Sequence, residues 1–193
     1  MENDILNLHK FELQNIIMEK PSYKLKLQDI KAIFLDIDGV ITNGSLIMHP
    51  SGEFLRNMST RDGYAIKKAA NSGFLVFIIS GGSSQAMKKR LAFLDVTEIY
   101  MDVKNKVTTF KSICEKYNLS KENTLYMGDD IPDYKIMKEV GIATCPKDAC
   151  TEILGISDYI SHKKGGNGAV RDIIEQTLKI HGKWMENDNI QAN

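Results

Sequence analysis

Short apolar runs and helix-like stretches alternate through this chain from residue 30 to residue 180, and that alternation limits the fold more than any other feature. "IKAIFLD" at 30–36 is an apolar run closed by an acid. "FLVFIIS" at 74–80 is apolar at nearly every position, as a strand covered on both faces must be. "EIYM" at 98–101, "TLYMG" at 124–128, "IATC" at 142–145 and "YIS" at 159–161 read as further strands. The segments between and after them carry helical spacing or helix-end signals. Gly73 closes "RDGYAIKKAANSG", and Ser83 or Ser84 opens "SSQAMKKRLAFL". Val107, Phe110, Cys114 and Tyr117 line one side of "KVTTFKSICEKYNL", and Pro132 sits in the first turn of "IPDYKIMKEVG". "DACTEILG" and "GAVRDIIEQTLKIHGKW" supply two more helices. A strand–helix repeat of this kind folds as a mainly parallel sheet with helices on both faces, an α/β three-layer sandwich. One segment breaks the rhythm: "LIMHPSGEFLRNM" at 46–58 reads as a β-hairpin with "HPSG" as its turn.

A length of 193 residues suits one domain. We expect it to span 27–184, after an N-terminal helical extension (1–26) whose apolar stripe includes Ile5, Leu8, Phe11 and Ile16. A flexible polar tail, 185–193, follows. Lys and Arg together number 25, as do Asp and Glu, which removes any electrostatic case for nucleic acid or an anionic membrane as partner. The longest apolar stretch, Phe74 to Ile79, is far too short for a transmembrane helix, and the opening residues lack the basic start and small-residue cleavage site expected of a signal peptide. Cys114, Cys145 and Cys150 have no metal-ligand spacing and are too few for a disulfide framework, so reduced thiols in a cytoplasmic protein are expected.

In open parallel sheets, ligands bind outside the carboxyl ends of the strands. Asp36 and Asp38 follow the first strand; Ser80, Gly81 and Gly82 follow the second; Lys104 and Lys106 lie near the third; Asp129, Asp130 and Asp133 follow the fourth. Clustered carboxylates are stable together only with a cation, and hard, oxygen-coordinated Mg²⁺ is the natural one, joining Asp36 to Asp129. The set suits phosphoryl transfer. A carboxylate attacks phosphorus and forms an acyl phosphate, while a hydroxyl and a lysine hold the phosphoryl oxygens. A second acid protonates the leaving oxygen and later activates water. Plainer roles stay open: Ser80 as a helix cap, Lys106 as a solvated lysine, and Asp133 as an early-helix acid rather than the orienter of the site's lysine.

The order of these residues resembles the haloacid dehalogenase superfamily. Its first motif stands as Asp36, Asp38, Gly39, Val40 and Thr42, its second as Ser80, its third as a lysine at a helix start and its fourth as "GDDIPD". The resemblance implies that Asp36 is nucleophile and metal ligand. It makes Asp38 the general acid/base, lending the metal its backbone carbonyl. Asp129 becomes a metal ligand and Asp130 a support of the metal shell. Ser80, Gly81 and Lys106 would hold phosphate, Lys106 being preferred to Lys104 because it opens the helix. Neither interval that carries a cap domain in larger members has room for one. "RDGYAI" and "KKGGNGAVRDIIEQTL" further resemble the uncapped sugar-acid phosphatases acting on 3-deoxy-D-manno-octulosonate 8-phosphate. That likeness implies a homotetramer built through the hairpin, with Arg61, Gly82 and Arg171 as substrate-binding candidates, in one chain or across an interface. Asn43, Gly82 and Asn167 depart from residues common in relatives. A nonulosonate 9-phosphate is the alternative substrate, and a non-catalytic oligomeric scaffold is the alternative of another class.

Overall fold

The computed structural model describes residues 22–186, so most of the expected N-terminal extension (1–21) and most of the tail (187–193) lie outside the described residues. Six strands form one sheet: β1 (Ala32–Leu35), β4 (Leu75–Ile79), β5 (Glu98–Tyr100), β6 (Thr124–Met127), β7 (Ile142–Cys145) and β8 (Tyr159–Ile160). Their order is β5-β4-β1-β6-β7-β8, and every pair is parallel. The hairpin forms a separate antiparallel sheet of β2 (Ile47–Met48) and β3 (Phe54–Leu55). An antiparallel bridge between Thr42 and Met58 closes its stem.

Side chains along the central strands alternate between two cores, as the two-residue period of a strand requires. Ile33, Leu35, Val76, Ile78, Leu125 and Met127 face one core. There they meet α2 (Thr60–Asn71), α3 (Gln85–Phe93) and α7 (Ala169–Ile180), through residues such as Ile66, Leu91 and Ile173. Phe34, Phe77, Ile79, Tyr126 and Ala143 face the other. That core is closed by α4 (Lys106–Lys116), α5 (Tyr134–Met137) and α6 (Thr151–Ile156), through Phe110, Ile113, Ile136 and Ile153. Burial on both faces accounts for the near-continuous apolar runs of β1 and β4.

The helix expected over 131–141 is shorter. A 3₁₀ turn at Ile131–Asp133 leads into the single turn of α5. One described turn, α1 (Tyr23–Lys26), precedes the sheet. Among the described residues no helix is long and apolar enough to cross a membrane.

Register places the site. Leu35 pairs with Ile78 on one side and with Met127 on the other, so the three central strands end level. Asp36, Ser80 and Asp129, one or two residues further on, leave the sheet at one edge.

Candidate active site

A cavity of about 410 Å³ opens at that edge, lined by Asp36, Asp38, Ser80, Gly81, Gly82, Lys104, Lys106, Asp129, Asp130 and Asp133 among others. The turn after β1 shapes its floor. Gly39 has φ +89°, a conformation that favours glycine, and a Cβ there would stand 1.9 Å from Asp129 Oδ2. Glycine thus serves twice: it makes the bend and lets the Asp129 carboxylate come up against it. Gly165 presses on the same turn from behind, where a Cβ would fall 1.7 Å from the Gly39 carbonyl oxygen. The Gly166 amide donates to Val40 O at 2.9 Å. The glycine-rich stretch is therefore a packed buttress of the turn after β1.

Lys106 is the electrostatic centre. Its side chain is only 6% exposed, with Nζ 2.6 Å from Asp133 Oδ1 and 3.0 Å from Asp36 Oδ1. Burial works against its charge, but Asp36 and Asp133 outweigh that and raise its pKa. Asp133 is fully committed. Its Oδ1 also accepts from the Tyr126 hydroxyl at 2.6 Å, and its Oδ2 from the Asp129 amide at 3.1 Å. Asp133 thereby fixes the lysine and the Asp129 loop together. Lys104 is exposed at the cavity wall.

The acids repel one another. Burial, then the charge of Asp133, raises the Asp36 carboxyl from 3.8 to about 7 despite Lys106. Burial, then Asp36 and Asp133, raises Asp129 to about 8. One carboxylate oxygen each from Asp36, Asp129 and Asp133 lies within 4.8 Å of the others. Asp129 Oδ1 is buried without a hydrogen-bond partner, and buried Asp36 Oδ1 has the Lys106 ammonium 3.0 Å away. Buried, mutually repelling carboxylate oxygens, that of Asp129 without any partner, are the donor set a hard divalent cation requires, so Asp36 and Asp129 fit Mg²⁺. Asp133 is spoken for by Lys106 and Tyr126. Asp130 is exposed at the rim and outside that cluster.

Asp38 stands apart from the metal cluster. Arg56, which follows β3, grips it with a two-pronged fork, Nε to Oδ1 at 2.7 Å and Nη2 to Oδ2 at 3.0 Å. Thr42 Oγ1 donates to Oδ1 at 3.3 Å. Ser80 is buried, and its Oγ accepts from the Gly82 amide at 3.2 Å, while Ser84 caps α3. The capping alternative for Ser80 is thus filled by Ser84.

Arg61 and Arg171 are not brought to the acid cavity of their own chain. Both line a separate cavity of about 570 Å³ with His162, Lys163 and Asn167. The Arg171 guanidinium lies 5.1 Å from the Trp184 ring and 5.9 Å from the Tyr64 ring, and its Nε pairs with Glu175 at 3.2 Å. Sequence reasoning passed over Arg56, Asp62 and Tyr126. Asp62 is fully buried and accepts the amides of Gly168 and Arg171 at 2.9 and 2.8 Å, capping α7 from α2. The match of "RDGYAI" could have flagged Asp62; nothing local to residue 56 points to Asp38.

Comparison with known proteins agrees with this geometry. A family model described as haloacid dehalogenase-like hydrolase matches residues 92–174. The 3-deoxy-D-manno-octulosonate 8-phosphate phosphatase of Salmonella typhimurium is 35% identical over 166 residues, 86% of this chain and 88% of that protein. The crystal structure of the phosphatase of that name from Yersinia pestis superposes with a TM-score of 0.83 at 28% identity, covering 86% of this chain and 90% of that one. The enzyme from Moraxella catarrhalis, solved with a magnesium ion, a phosphate ion and a KDO molecule, gives a TM-score of 0.81 at 30% identity, with coverage of 83% and 92%. A chain with such relatives over most of its length, and with Asp36, Ser80, Lys106 and Asp129 gathered at one sheet edge, belongs to the haloacid dehalogenase-like hydrolases, in the family of the 3-deoxy-D-manno-octulosonate 8-phosphate phosphatases.

Proposed function

We propose that this chain is a Mg²⁺-dependent phosphatase of a phosphorylated sugar acid, 3-deoxy-D-manno-octulosonate 8-phosphate, which it splits into the free sugar acid and phosphate. The observation that carries the reading is the single cavity into which Asp36, Asp38, Ser80, Lys106 and Asp129 open together. Asp36, Asp129 and the backbone carbonyl of Asp38 would hold Mg²⁺, which would supply positive charge against the incoming phosphate. Asp36 attacks phosphorus through a carboxylate oxygen and becomes an aspartyl phosphate. Ser80 and Lys106 hold the phosphoryl oxygens, and Lys106 neutralises charge developing on them. Asp38 gives its proton to the departing sugar oxygen and then takes one from the water that cleaves the aspartyl phosphate. Asp133 and Tyr126 keep Lys106 in place through both steps.

The hairpin supports an assembly of copies. Leu46, Ile47, Met48, Phe54 and Leu55 are all exposed there, Met48 by 80%. Such a patch marks an interaction surface, and a homotetramer built on it is our reading. Since Arg61 and Arg171 line a cavity separate from their own acid cavity, a part for them in binding sugar acid would be played at a neighbouring subunit.

Phosphate release from the octulosonate 8-phosphate and from a nonulosonate 9-phosphate, with Mg²⁺ and with a chelator, tests the proposal. The octulosonate should be favoured in kcat/KM by about tenfold or more, a difference of about 1.4 kcal/mol, and the chelator should stop turnover. Preference for the 9-phosphate would move the assignment to that sugar. No turnover of any phosphate ester by folded, Mg²⁺-loaded protein would leave the scaffold reading.

A further inference from the structure

We infer that Arg56 is a positioning residue for Asp38, and that the stem of the hairpin exists in part to hold that acid against the leaving oxygen. The inference rests on the phosphatase reading above. Asp38 sits on the bend after β1, one residue before the φ +89° glycine, where its backbone alone cannot fix the carboxylate. The two legs of the hairpin fix it instead. Thr42 on the outgoing leg donates to Oδ1, and Arg56 on the returning leg forks onto both oxygens. The Thr42–Met58 bridge ties those legs together, so the grip and the stem are one structure.

The arginine is placed to hold rather than to bind. Its side chain is 6% exposed while that of Asp38 is 33% exposed. It is absent from the cavity wall that Asp38 and Gly82 help form. Its Nη1 donates to Phe54 O at 3.1 Å, anchoring the guanidinium to the hairpin's own backbone. Gly82 leaves it room: a Cβ there would come within 3.3 Å of Asp38 Oδ2 and 3.4 Å of Arg56 Nη2. A long side chain at position 82 and an arginine at 56 would compete for one space. A guanidinium fork fixes a carboxylate in both distance and plane, which an ammonium cannot do.

The test reads leaving-group release in a single turnover, the half-reaction in which substrates differ in how much they need Asp38; hydrolysis of the aspartyl phosphate needs it with either substrate. A sugar-acid phosphate leaves as an alkoxide and needs its proton; p-nitrophenyl phosphate leaves without help. Arg56→Met should slow single-turnover release of the sugar acid from its phosphate about 30-fold, in keeping with the loss of one partner of a hydrogen-bonded charge pair, with the half-saturating substrate concentration changed less than about twofold. On p-nitrophenyl phosphate the single-turnover release of p-nitrophenol should slow less than about threefold. Arg56→Lys should recover part of the loss and no more. In an Asp38→Asn background, Arg56→Met should cost nothing further, because the two residues act as a unit. Equal losses of leaving-group release on both substrates, a rise in the half-saturating concentration alone, or additive losses in the double variant would overturn the inference. If Asp38→Asn by itself left turnover of the sugar-acid phosphate intact, the acid/base assignment would fall and Arg56 with it. If Asp38→Asn were crippling but the double variant additive, the phosphatase reading would stand and only the role of Arg56 would fail.

Discussion

Gly39 sets how close two carboxylates can come. Its missing Cβ is what lets the side chain of Asp129 lie against the turn that carries Asp36. Gly39→Ala would meet both a steric block at 1.9 Å and a left-handed backbone that costs an L-residue about 1–2 kcal/mol. We expect the variant to need at least about tenfold more Mg²⁺ for half-maximal activity, since displaced metal-shell groups cost about 10–100-fold in affinity. A Mg²⁺ titration of turnover checks this, and an unchanged requirement would show that Asp129 does not depend on the bend. The two aspartates after β1 and the glycine between them and the next apolar pair were plain in the sequence, because motif residues on a strand end keep a fixed spacing. Arg56 was not. It reaches Asp38 from 18 residues away along the chain, and only the folded hairpin makes them neighbours.

Among the elements, α2 and α7 depend on a contact that no local pattern announces. Asp62, in the first turn of α2, accepts the Gly168 and Arg171 amides at the start of α7, and burial raises its pKa in spite of those bonds. It satisfies two amides that the helix cannot satisfy for itself. Asp62→Asn keeps one acceptor and turns a donor toward the other amide, so a cost of about 2 kcal/mol is expected. For a domain of this size that lowers Tm by roughly 4–8 °C, which calorimetry measures; a shift below about 1 °C would mean the cap is dispensable. The sheet itself was readable because its strands are buried on both faces and their apolar runs are therefore nearly unbroken. The segment after β6 misled for a matching reason. Its helical pattern is real, but Asp133 is drawn into the site by Lys106 and Tyr126, and the chain there takes a 3₁₀ turn before α5.

For the molecule as a whole, the buried acids tie stability to pH and to metal. Without a cation, Asp36 and Asp129 keep their protons to about pH 7 and about pH 8, against 3.8 as their ordinary value. The folded protein then binds more protons than the unfolded chain across that window. Their contribution is complete below the ordinary value and is lost as pH rises through the folded values. Mg²⁺ reverses the dependence, because it binds the folded, deprotonated pair. The rise in Tm on adding Mg²⁺ should therefore be larger at pH 8 than at pH 5.5 by several degrees. Thermal melts at both pH values measure it, and an equal or larger rise at the lower pH would contradict a site built on these two acids. The same crowding explains why Asp36→Asn should not weaken the fold: the amide, like the protonated acid, brings no charge into the repelling cluster.

That substitution also tests the central claim. Phosphate release from 3-deoxy-D-manno-octulosonate 8-phosphate with Mg²⁺ should fall at least about a thousandfold from the native chain to Asp36→Asn, the scale seen when a covalent nucleophile is removed, with Tm maintained. A folded Asp36→Asn protein that kept more than about one-hundredth of the native rate would show that phosphorus is not attacked by Asp36.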